Sequence, residues 1–215
     1  MPWFSDYIDA YGWVEAVRLD EEALFMEKWL AQGLHRNLDY LARNRSKRYD
    51  IRELVPGAQS VLVALLTYSH AGHDYHRGLK SQLYQIEHRL ATELNFTPLP
   101  TQHIFCDSAP VLERAWAVRA GLGFIGKNHQ LIHPVLGSYV HIGELVLPIN
   151  APSKIEVVMD GGSLCASCRR CVDACPGQAL GNALWDPSLC IAYQKPYSAH
   201  RCTICSDVCP FNAKK

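Results

Sequence analysis

The chain has no net charge: among its 215 residues, 21 lysines and arginines balance 21 aspartates and glutamates. A neutral protein has no global field that attracts nucleic acid or an anionic membrane, so a polyanionic partner must be bound by a local patch. The best candidate for such a patch is a run of four basic residues: Arg43, Arg45, Lys47 and Arg48.

The sequence also lacks an export signal and a long apolar run. Met1 to Ala10 has no basic segment followed by an apolar one, and no apolar stretch approaches the roughly 20 residues that span a bilayer. We therefore expect a cytoplasmic monomer without a membrane partner. In that compartment the nine cysteines are expected to be metal ligands or reactive thiols and not disulfides.

Helix and strand patterns alternate as far as about Pro148. Apolar residues recur every three or four positions from Leu79 to Leu94, which indicates a helix, whereas the apolar run from Ser60 to Tyr68 indicates a buried strand. The other predicted elements are a helix from Asp20 to Leu30, a strand from His103 to Cys106, a helix from Pro110 to Ala120, and two strands between Leu131 and Leu147. The sequence therefore predicts an α+β protein with two domains, residues 1–155 and the cysteine-rich residues 156–215.

Eight of the nine cysteines lie between Cys165 and Cys209, and the ninth, Cys106, stands alone. The run that begins at Cys165 reads Cys-x2-Cys-x2-Cys-x3-Cys-Pro, the bacterial ferredoxin pattern in which the fourth cysteine binds the other cluster. A shorter run, Cys-x2-Cys-x3-Cys-Pro, begins at Cys202, and Cys190 completes the eight ligands that two [4Fe-4S] clusters need. Crossed ligation assigns Cys165, Cys168, Cys171 and Cys209 to one cluster and Cys175, Cys190, Cys202 and Cys205 to the other.

Structural zinc is the alternative, because cysteines two residues apart also form four-thiolate zinc sites. Two features favour iron-sulfur clusters: three closely spaced cysteines, which wrap one face of a cubane, and the proline after each remote cysteine. Ligation by thiolates alone predicts low reduction potentials. We therefore expect this module to accept and pass single electrons.

A glycine motif precedes the cysteines. Gly121-Leu122-Gly123-Phe124-Ile125-Gly126 matches the dinucleotide fingerprint G-x-G-x-x-G, which follows a strand and opens a helix. Here a predicted helix comes first, which argues against a dinucleotide site. We interpret the motif as a loop whose backbone can approach a large flat ligand, or as a tight turn.

Asp107 lies between a predicted strand and a predicted helix. Its simplest role is to accept hydrogen bonds from the first amides of that helix. The alternative is a general acid, because a carboxyl group buried against an apolar cofactor can have its pKa raised enough to donate a proton near neutral pH. The residues alone leave both roles open.

Taken together, several stretches resemble the epoxyqueuosine reductase family, the cobalamin-dependent iron-sulfur enzymes of queuosine tRNA maturation. The resemblance covers nearly the whole chain. It is carried by the eight cluster cysteines, Tyr40 to Asn44, Arg52 to Ala58, Asp74 to His76, Asp107 to Ala115, Ala120 to Asn128, Gly137-Ser138 and Gly143-Glu144.

The resemblance implies an N-terminal domain similar to flavin nitroreductase and cobalamin-processing folds, a bacterial-ferredoxin-like double [4Fe-4S] domain, and cobalamin between them. Asp107 falls on the family's proton donor, so the resemblance favours the general acid. The residues that fall on the family's corrin pocket are Gly121, Gly123, Phe124, Ile125, Gly126, Lys127, Asn128, Gly137 and Ser138.

The activity that the resemblance implies is reduction of epoxyqueuosine to queuosine in tRNA. Electrons are expected to pass from the clusters to cobalt, and Asp107 to protonate the departing epoxide oxygen. A flavodoxin, a ferredoxin or a flavin reductase is expected to supply low-potential electrons.

Two differences from the family concern the substrate. Family members usually continue past the last Cys-Pro pair with an extension that helps hold tRNA, whereas this sequence ends at Lys215, and the loop from Cys190 to Cys202 is shorter than the family's. The resemblance therefore indicates a short member. Two alternatives stay open: an electron-transfer or cobalamin-reducing partner of another enzyme, and a reductase of a small substrate other than tRNA.

Overall fold

The computed structural model describes residues 1–68, 75–152, 164–182, 184–194 and 202–212. The chain forms two compact units, and the predicted first domain, 1–155, contains segments of both. The sheet unit comprises Met1–Asp20, Asn44–Leu122 and Tyr139–Met159, and the cysteine unit comprises Glu21–Arg43, Gly123–Ser138 and Asp160–Lys215. Asp74 of the family-like motif and positions 195–201 of the Cys190–Cys202 loop lie outside the described residues.

Helices and strands are mixed along the described chain, as the sequence predicts. The strands are β1 (Ala10–Glu15), β2 (Ser60–Thr67), β3 (Ile104–Phe105), β4 (Phe124–Ile125), β5 (Leu131–Ile132) and β6 (Val140–Leu147). The helices are α1 (Asp20–Ala31), α2 (Asp39–Ala42), α3 (Arg45–Tyr49), α4 (Ile51–Leu54), α5 (Tyr75–Leu94), α6 (Glu113–Arg119), α7 (Arg170–Asp173), α8 (Ile191–Gln194) and α9 (Ile204–Asp207). None of the described helices is long and apolar enough to cross a membrane.

The sheet unit is built on four antiparallel strands in the order β1-β2-β6-β3. β2 and β6 pair along their whole length, from Ser60 opposite Leu147 to Thr67 opposite Val140. The first six residues of β2 are all buried, because a central strand that is covered on both faces needs apolar side chains on both. The apolar run in the sequence therefore identifies this strand correctly.

Helix α5 packs against the sheet and forms the main core of this unit. Its residues Leu79, Leu83, Ile86 and Leu90 are completely buried in one apolar cluster that includes sheet residues such as Leu62 and Leu145. These positions follow the predicted three-four spacing, because residues at that spacing share one face of a helix.

Two parts of the sheet unit differ from the sequence prediction. The edge strand β1 was not predicted, and α6 begins at Glu113 instead of Pro110 because Leu112 is its N-cap residue. β1 passes close to the end of α6, where a Cβ atom on Gly12 would lie 2.0 Å from the carbonyl oxygen of Ala120. Glycine is therefore required at this point of close backbone approach.

The cysteine unit contains nearly all of α1, the short helices α2, α7, α8 and α9, and the β4–β5 pair. Two contacts attach its first segment to the region that precedes Cys190. The indole Nε1 of Trp29 donates a hydrogen bond to the carbonyl oxygen of Trp185 at 2.6 Å, and the Arg36 guanidinium forms an ion pair with Asp186. These partners lie 156 and 150 positions apart, so the local sequence pattern gives no sign of them.

Candidate functional site

All eight predicted cluster ligands are free thiols within the cysteine unit. Burial raises the pKa of the Cys171 thiol, and negative charge on three neighbouring cysteines raises it further: Cys165, Cys209 and Cys168. These are the cysteines that the spacing assigns to the same cluster. Burial likewise raises the pKa of Cys205 to about 11, and three cysteines add to the effect: Cys190 and Cys202 of the other predicted set and Cys171 of the first. The ligand assignment itself stays a prediction.

The donor chemistry of these cysteines suits two four-iron clusters. Within the described residues, no three histidine, cysteine, aspartate or glutamate side chains are placed to bind one metal ion. The four cysteines of a cubane each bind a different iron atom, so a cubane does not need such convergence. Eight free thiols at ferredoxin spacing therefore fit the predicted clusters.

Lys127 and Asn128 contact the backbone of the cysteine loops. The Lys127 Nζ donates hydrogen bonds to the carbonyl oxygens of Ala166 at 2.7 Å and Cys168 at 3.0 Å. The Asn128 Nδ2 donates to the carbonyl oxygen of Cys205 at 3.5 Å. Lys127 thus contacts the first cysteine run, and Asn128 contacts the second. Their predicted contact with a corrin stays a prediction.

Gly137 and Ser138 contact Asn212, three residues after Cys209. The Asn212 Oδ1 accepts a hydrogen bond from the Ser138 backbone N–H at 2.7 Å, and the Asn212 Nδ2 donates to the Ser138 Oγ at 2.9 Å. A Cβ atom on Gly137 would lie 2.0 Å from the Asn212 Oδ1. The glycine-serine pair therefore positions the chain after the last cysteine.

The glycine loop is accounted for by packing within the chain. Gly121 has a φ of +75° and ends α6 with a hydrogen bond from its N–H to the carbonyl oxygen of Val118. Gly123 has a φ of +151°, and a Cβ atom there would lie 2.3 Å from the Ile132 carbonyl oxygen. A Cβ atom on Gly126 would meet the same isoleucine, at 2.4 Å from its Cδ1. As expected, the motif follows a helix and does not open one.

The two apolar residues of this loop differ in exposure. Phe124 is completely buried in a small core with Ile132 and Cys209, and its ring lies edge-on to Phe211 at 5.5 Å. Ile125 is 41% exposed. A corrin ring has large apolar faces, so the partly exposed side chain of Ile125 suits the predicted contact with cobalamin, which stays a prediction.

Asp107 lies in the turn between β3 and α6 of the sheet unit. It is exposed and has a φ of +51°, in the left-handed region that non-glycine residues seldom adopt. Its backbone N–H donates a hydrogen bond to the Glu113 Oε1 at 2.5 Å. Leu112, not Asp107, is the N-cap residue of α6, so the simpler of the two predicted roles does not apply.

Two glutamates near Asp107 have no role assigned from the sequence, although Gly143-Glu144 and the stretch from Asp107 to Ala115, which contains Glu113, carry the resemblance. Glu144 on β6 is completely buried, and neither of its carboxyl oxygens has a hydrogen-bond partner among the described residues. Burial, then the charges of Glu113 and Asp107, raise its pKa well above the usual range. Burial also raises the pKa of Glu113, to about 7. The sequence does contain a sign of this buried acid, because Glu144 stands within the apolar run of β6.

The chain is similar to proteins named epoxyqueuosine reductase. No protein-family model matches it. It is 36% identical to the epoxyqueuosine reductase of Leadbetterella byssophila over 91% of this chain and 72% of that protein. The structure of epoxyqueuosine reductase from Streptococcus thermophilus matches with a TM-score of 0.79 at 22% identity, over 100% of this chain and 65% of that one.

A second solved structure has the same fold. It is an epoxyqueuosine reductase crystallised with an epoxyqueuosine-modified stem loop of tyrosine tRNA, and it matches with a TM-score of 0.79 at 23% identity, over 100% of this chain. This chain spans 64% of that one and therefore less than two thirds of either solved structure.

Proposed function

The chain belongs to the epoxyqueuosine reductase family, a family of oxidoreductases, and from this membership we propose that it reduces epoxyqueuosine to queuosine in tRNA. The observation that carries the proposal is the 36% identity over 91% of the chain. The relative crystallised with an epoxyqueuosine-modified stem loop supports tRNA as the substrate. Asp107 and the eight cysteines supply the chemistry of such a reaction.

The predicted cofactors supply the redox chemistry. When bound, two [4Fe-4S] clusters supply one-electron transfer and cobalamin supplies reducing cobalt chemistry at the epoxide carbon. The eight cysteines of the cysteine unit would hold the clusters in a ferredoxin-like arrangement, and Ile125 would contact the corrin. Lys127 and Asn128 keep the two cysteine loops in place through their backbone carbonyl oxygens. A low-potential flavodoxin, ferredoxin or flavin reductase supplies the electrons.

Asp107 acts as the general acid in this proposal. An exposed carboxyl group on a turn can reach a substrate, and the hydrogen bond from its own backbone to Glu113 holds that turn. Its proton passes to the oxygen that leaves the epoxide carbon, which avoids a free alkoxide as the leaving group.

The test is turnover of epoxyqueuosine tRNA by protein reconstituted anaerobically with iron, sulfide and cobalamin. We expect queuosine tRNA as the product, about eight irons and one cobalt per chain, and a loss of at least about 100-fold in rate for Asp107→Asn. Asp6→Asn, at an exposed aspartate of the same unit, is the matched control and should keep full activity.

Two results would count against the proposal. Full cofactor loading without turnover would exclude the tRNA reaction. Unchanged activity of Asp107→Asn together with loss of activity in a cluster-ligand variant such as Cys171→Ser would favour an electron carrier, because electron transfer needs no proton donor.

A further inference from the structure

The proposed reaction consumes more protons than Asp107 can hold. Conversion of an epoxide to an alkene takes two electrons and two protons: both carbon–oxygen bonds break, and the oxygen leaves as water. The low-potential donor supplies the electrons. One carboxylic acid supplies one proton, so a second proton must reach the site in each turnover. The inference that follows rests on the proposed function.

Glu113 is the acidic residue in direct contact with Asp107. It lies in the first turn of α6, six positions further along the chain, and its Oε1 accepts the Asp107 backbone N–H. This bond fixes the left-handed turn at Asp107 and places the two carboxyl groups on the same short segment. Glu113 is half-buried, whereas Asp107 is exposed.

Glu144 lies behind this pair, inside the sheet unit. It is opposite Phe105 on β3, two residues before Asp107, and opposite Val63 on β2. An ionised carboxylate that is completely buried without hydrogen-bond partners costs several kcal/mol, so such a group takes up a proton instead. Neither oxygen of Glu144 has a partner among the described residues, and we conclude that Glu144 is a neutral acid.

Among the described residues, the other titratable groups that act on these carboxyl groups do not neutralise them. Cys106 is buried, and burial raises the pKa of its thiol to about 12, so it stays neutral. Arg114 favours ionised Glu113, but burial outweighs it. Lys80 on α5 acts on Cys106.

We propose that Glu113 and Glu144 form a proton store for Asp107. Asp107 gives its proton to the oxygen as the first carbon–oxygen bond breaks. Glu113 then transfers its proton to Asp107, and Asp107 delivers it as the hydroxyl leaves as water. Glu144 restores the proton on Glu113, which leaves Asp107 and Glu144 as carboxylates, and both take up a proton from solvent between turnovers. Atoms and charge balance, because two carboxylic acids are converted to carboxylates for each water released.

An infrared titration of the anaerobically prepared holoprotein tests the protonation states without turnover. We expect the carbonyl stretch of protonated carboxyl groups in the wild type near neutral pH. Glu113→Gln should remove a band that titrates at about pH 7, and Glu144→Gln a band that persists to higher pH. Ionised carboxylates at both positions at pH 6 would overturn the proposal.

Rates with epoxyqueuosine tRNA supply the second test. Glu113→Gln keeps an oxygen that can accept the Asp107 N–H but cannot donate a carboxyl proton. We therefore expect kcat to fall at least about tenfold at pH 6, where wild-type Glu113 holds its proton, with KM unchanged, and the difference from wild type to disappear as the pH rises above 7. Glu87→Gln is the control: Glu87 is a buried glutamate of the same unit that pairs with His103 at 2.6 Å, and its loss should leave the pH profile of kcat unchanged.

The outcomes separate the proton store from the proposed function. Loss of activity in Asp107→Asn with unchanged rates in Glu113→Gln overturns the store alone. Unchanged activity in Asp107→Asn overturns the proposed donor and the store with it. If Glu144→Gln does not fold, Glu113→Gln still tests the proposal, because Glu113 is only half-buried.

Discussion

The sheet unit and the cysteine unit differ in what holds them together. The apolar cluster under α5 joins thirteen buried residues of the sheet unit, whereas the cluster around Phe124 joins three of the cysteine unit. In the cysteine unit, side chains such as those of Lys127 and Asn212 form hydrogen bonds with the backbone of the loops. Burial of apolar surface can stabilise a fold alone. The described residues of the cysteine unit also bury Ala23, Met26, Trp29 and Leu131, but because they bury fewer apolar side chains than those of the sheet unit, we expect this unit to depend in addition on cross-links such as the predicted metal clusters.

Removal of iron is expected to have the largest effect and to act on one unit only. Chelation under reducing conditions should unfold the cysteine unit, because cluster binding energy is also folding energy. The sheet unit should keep its core. Hydrogen exchange measured by mass spectrometry would show near-complete exchange of amides in 164–212 while β2 and α5 stay protected.

Single cysteine changes sharpen this prediction. Cys171→Ser should lower iron content by about half, since one of two cubanes loses a ligand. Cys106→Ala is the control, because Cys106 belongs to the sheet unit and should leave iron content unchanged. Protection of 164–212 that persists after complete iron loss would contradict the dependence of the cysteine unit on its clusters.

The sheet unit should instead lose stability when an apolar side chain of its core is truncated. Leu83 is completely buried against the sheet, and Leu83→Ala is expected to lower the free energy of unfolding of this unit by about 2–5 kcal/mol through lost burial and a cavity. Leu94→Ala, at a leucine of the same helix and unit that is 39% exposed, should cost far less. Urea denaturation followed by circular dichroism measures both, and equal costs would contradict the assignment of the core.

How much the sequence predicts depends on the range of the interaction. The leucine spacing of α5 is a local pattern with a direct structural cause, and the prediction of this helix is confirmed. The cysteine spacing is also a local pattern, and the ligand assignment drawn from it stays a prediction. The pairing of β1 with β2 and the bond from Trp29 to Trp185 join distant segments, so no local pattern contained them. The neutral state of Glu144 follows from complete burial on a central strand, which requires the fold to be known.

The glycines offer a comparison within the cysteine unit. Gly123→Ala should cost about 3 kcal/mol, because its φ of +151° is strained for alanine and its Cβ would lie 2.3 Å from the Ile132 carbonyl oxygen. Gly33→Ala has only the conformational cost of a φ of +65°, about 1 kcal/mol, since nothing lies within 4 Å of the added atom. Thermal unfolding of the iron-loaded protein compares the two, and equal shifts would contradict the close packing at β4–β5.

Replacement of Lys127 should cost less stability than Gly123→Ala, and its main effect should be on the reduction potential of the nearer predicted cluster. Lys127→Met removes two hydrogen bonds to the first cysteine loop, at about 1–2 kcal/mol. It also removes a positive charge near the predicted cluster of Cys165, Cys168, Cys171 and Cys209, so the reduction potential of that cluster should become more negative. Lys28→Met, at an exposed lysine of α1, is the control in a redox titration followed by electron paramagnetic resonance. Equal shifts of both clusters would contradict a local effect.

The smallest expected effect is a pH dependence confined to the sheet unit. The hydrogen bond to Glu87 raises the pKa of His103, although burial opposes it, so the folded state binds the proton more tightly than the unfolded state. The contribution, on the order of 1 kcal/mol, is fully present below the unfolded pKa of about 6.5 and is lost as the pH rises through the higher folded value. Urea denaturation of the sheet unit between pH 6 and pH 9 should show this decline, and Glu87→Gln should flatten it. Because the pair lies wholly within the sheet unit, the iron content of the cysteine unit should not change across the same range, and parallel loss of iron would mean that the two units do not respond independently.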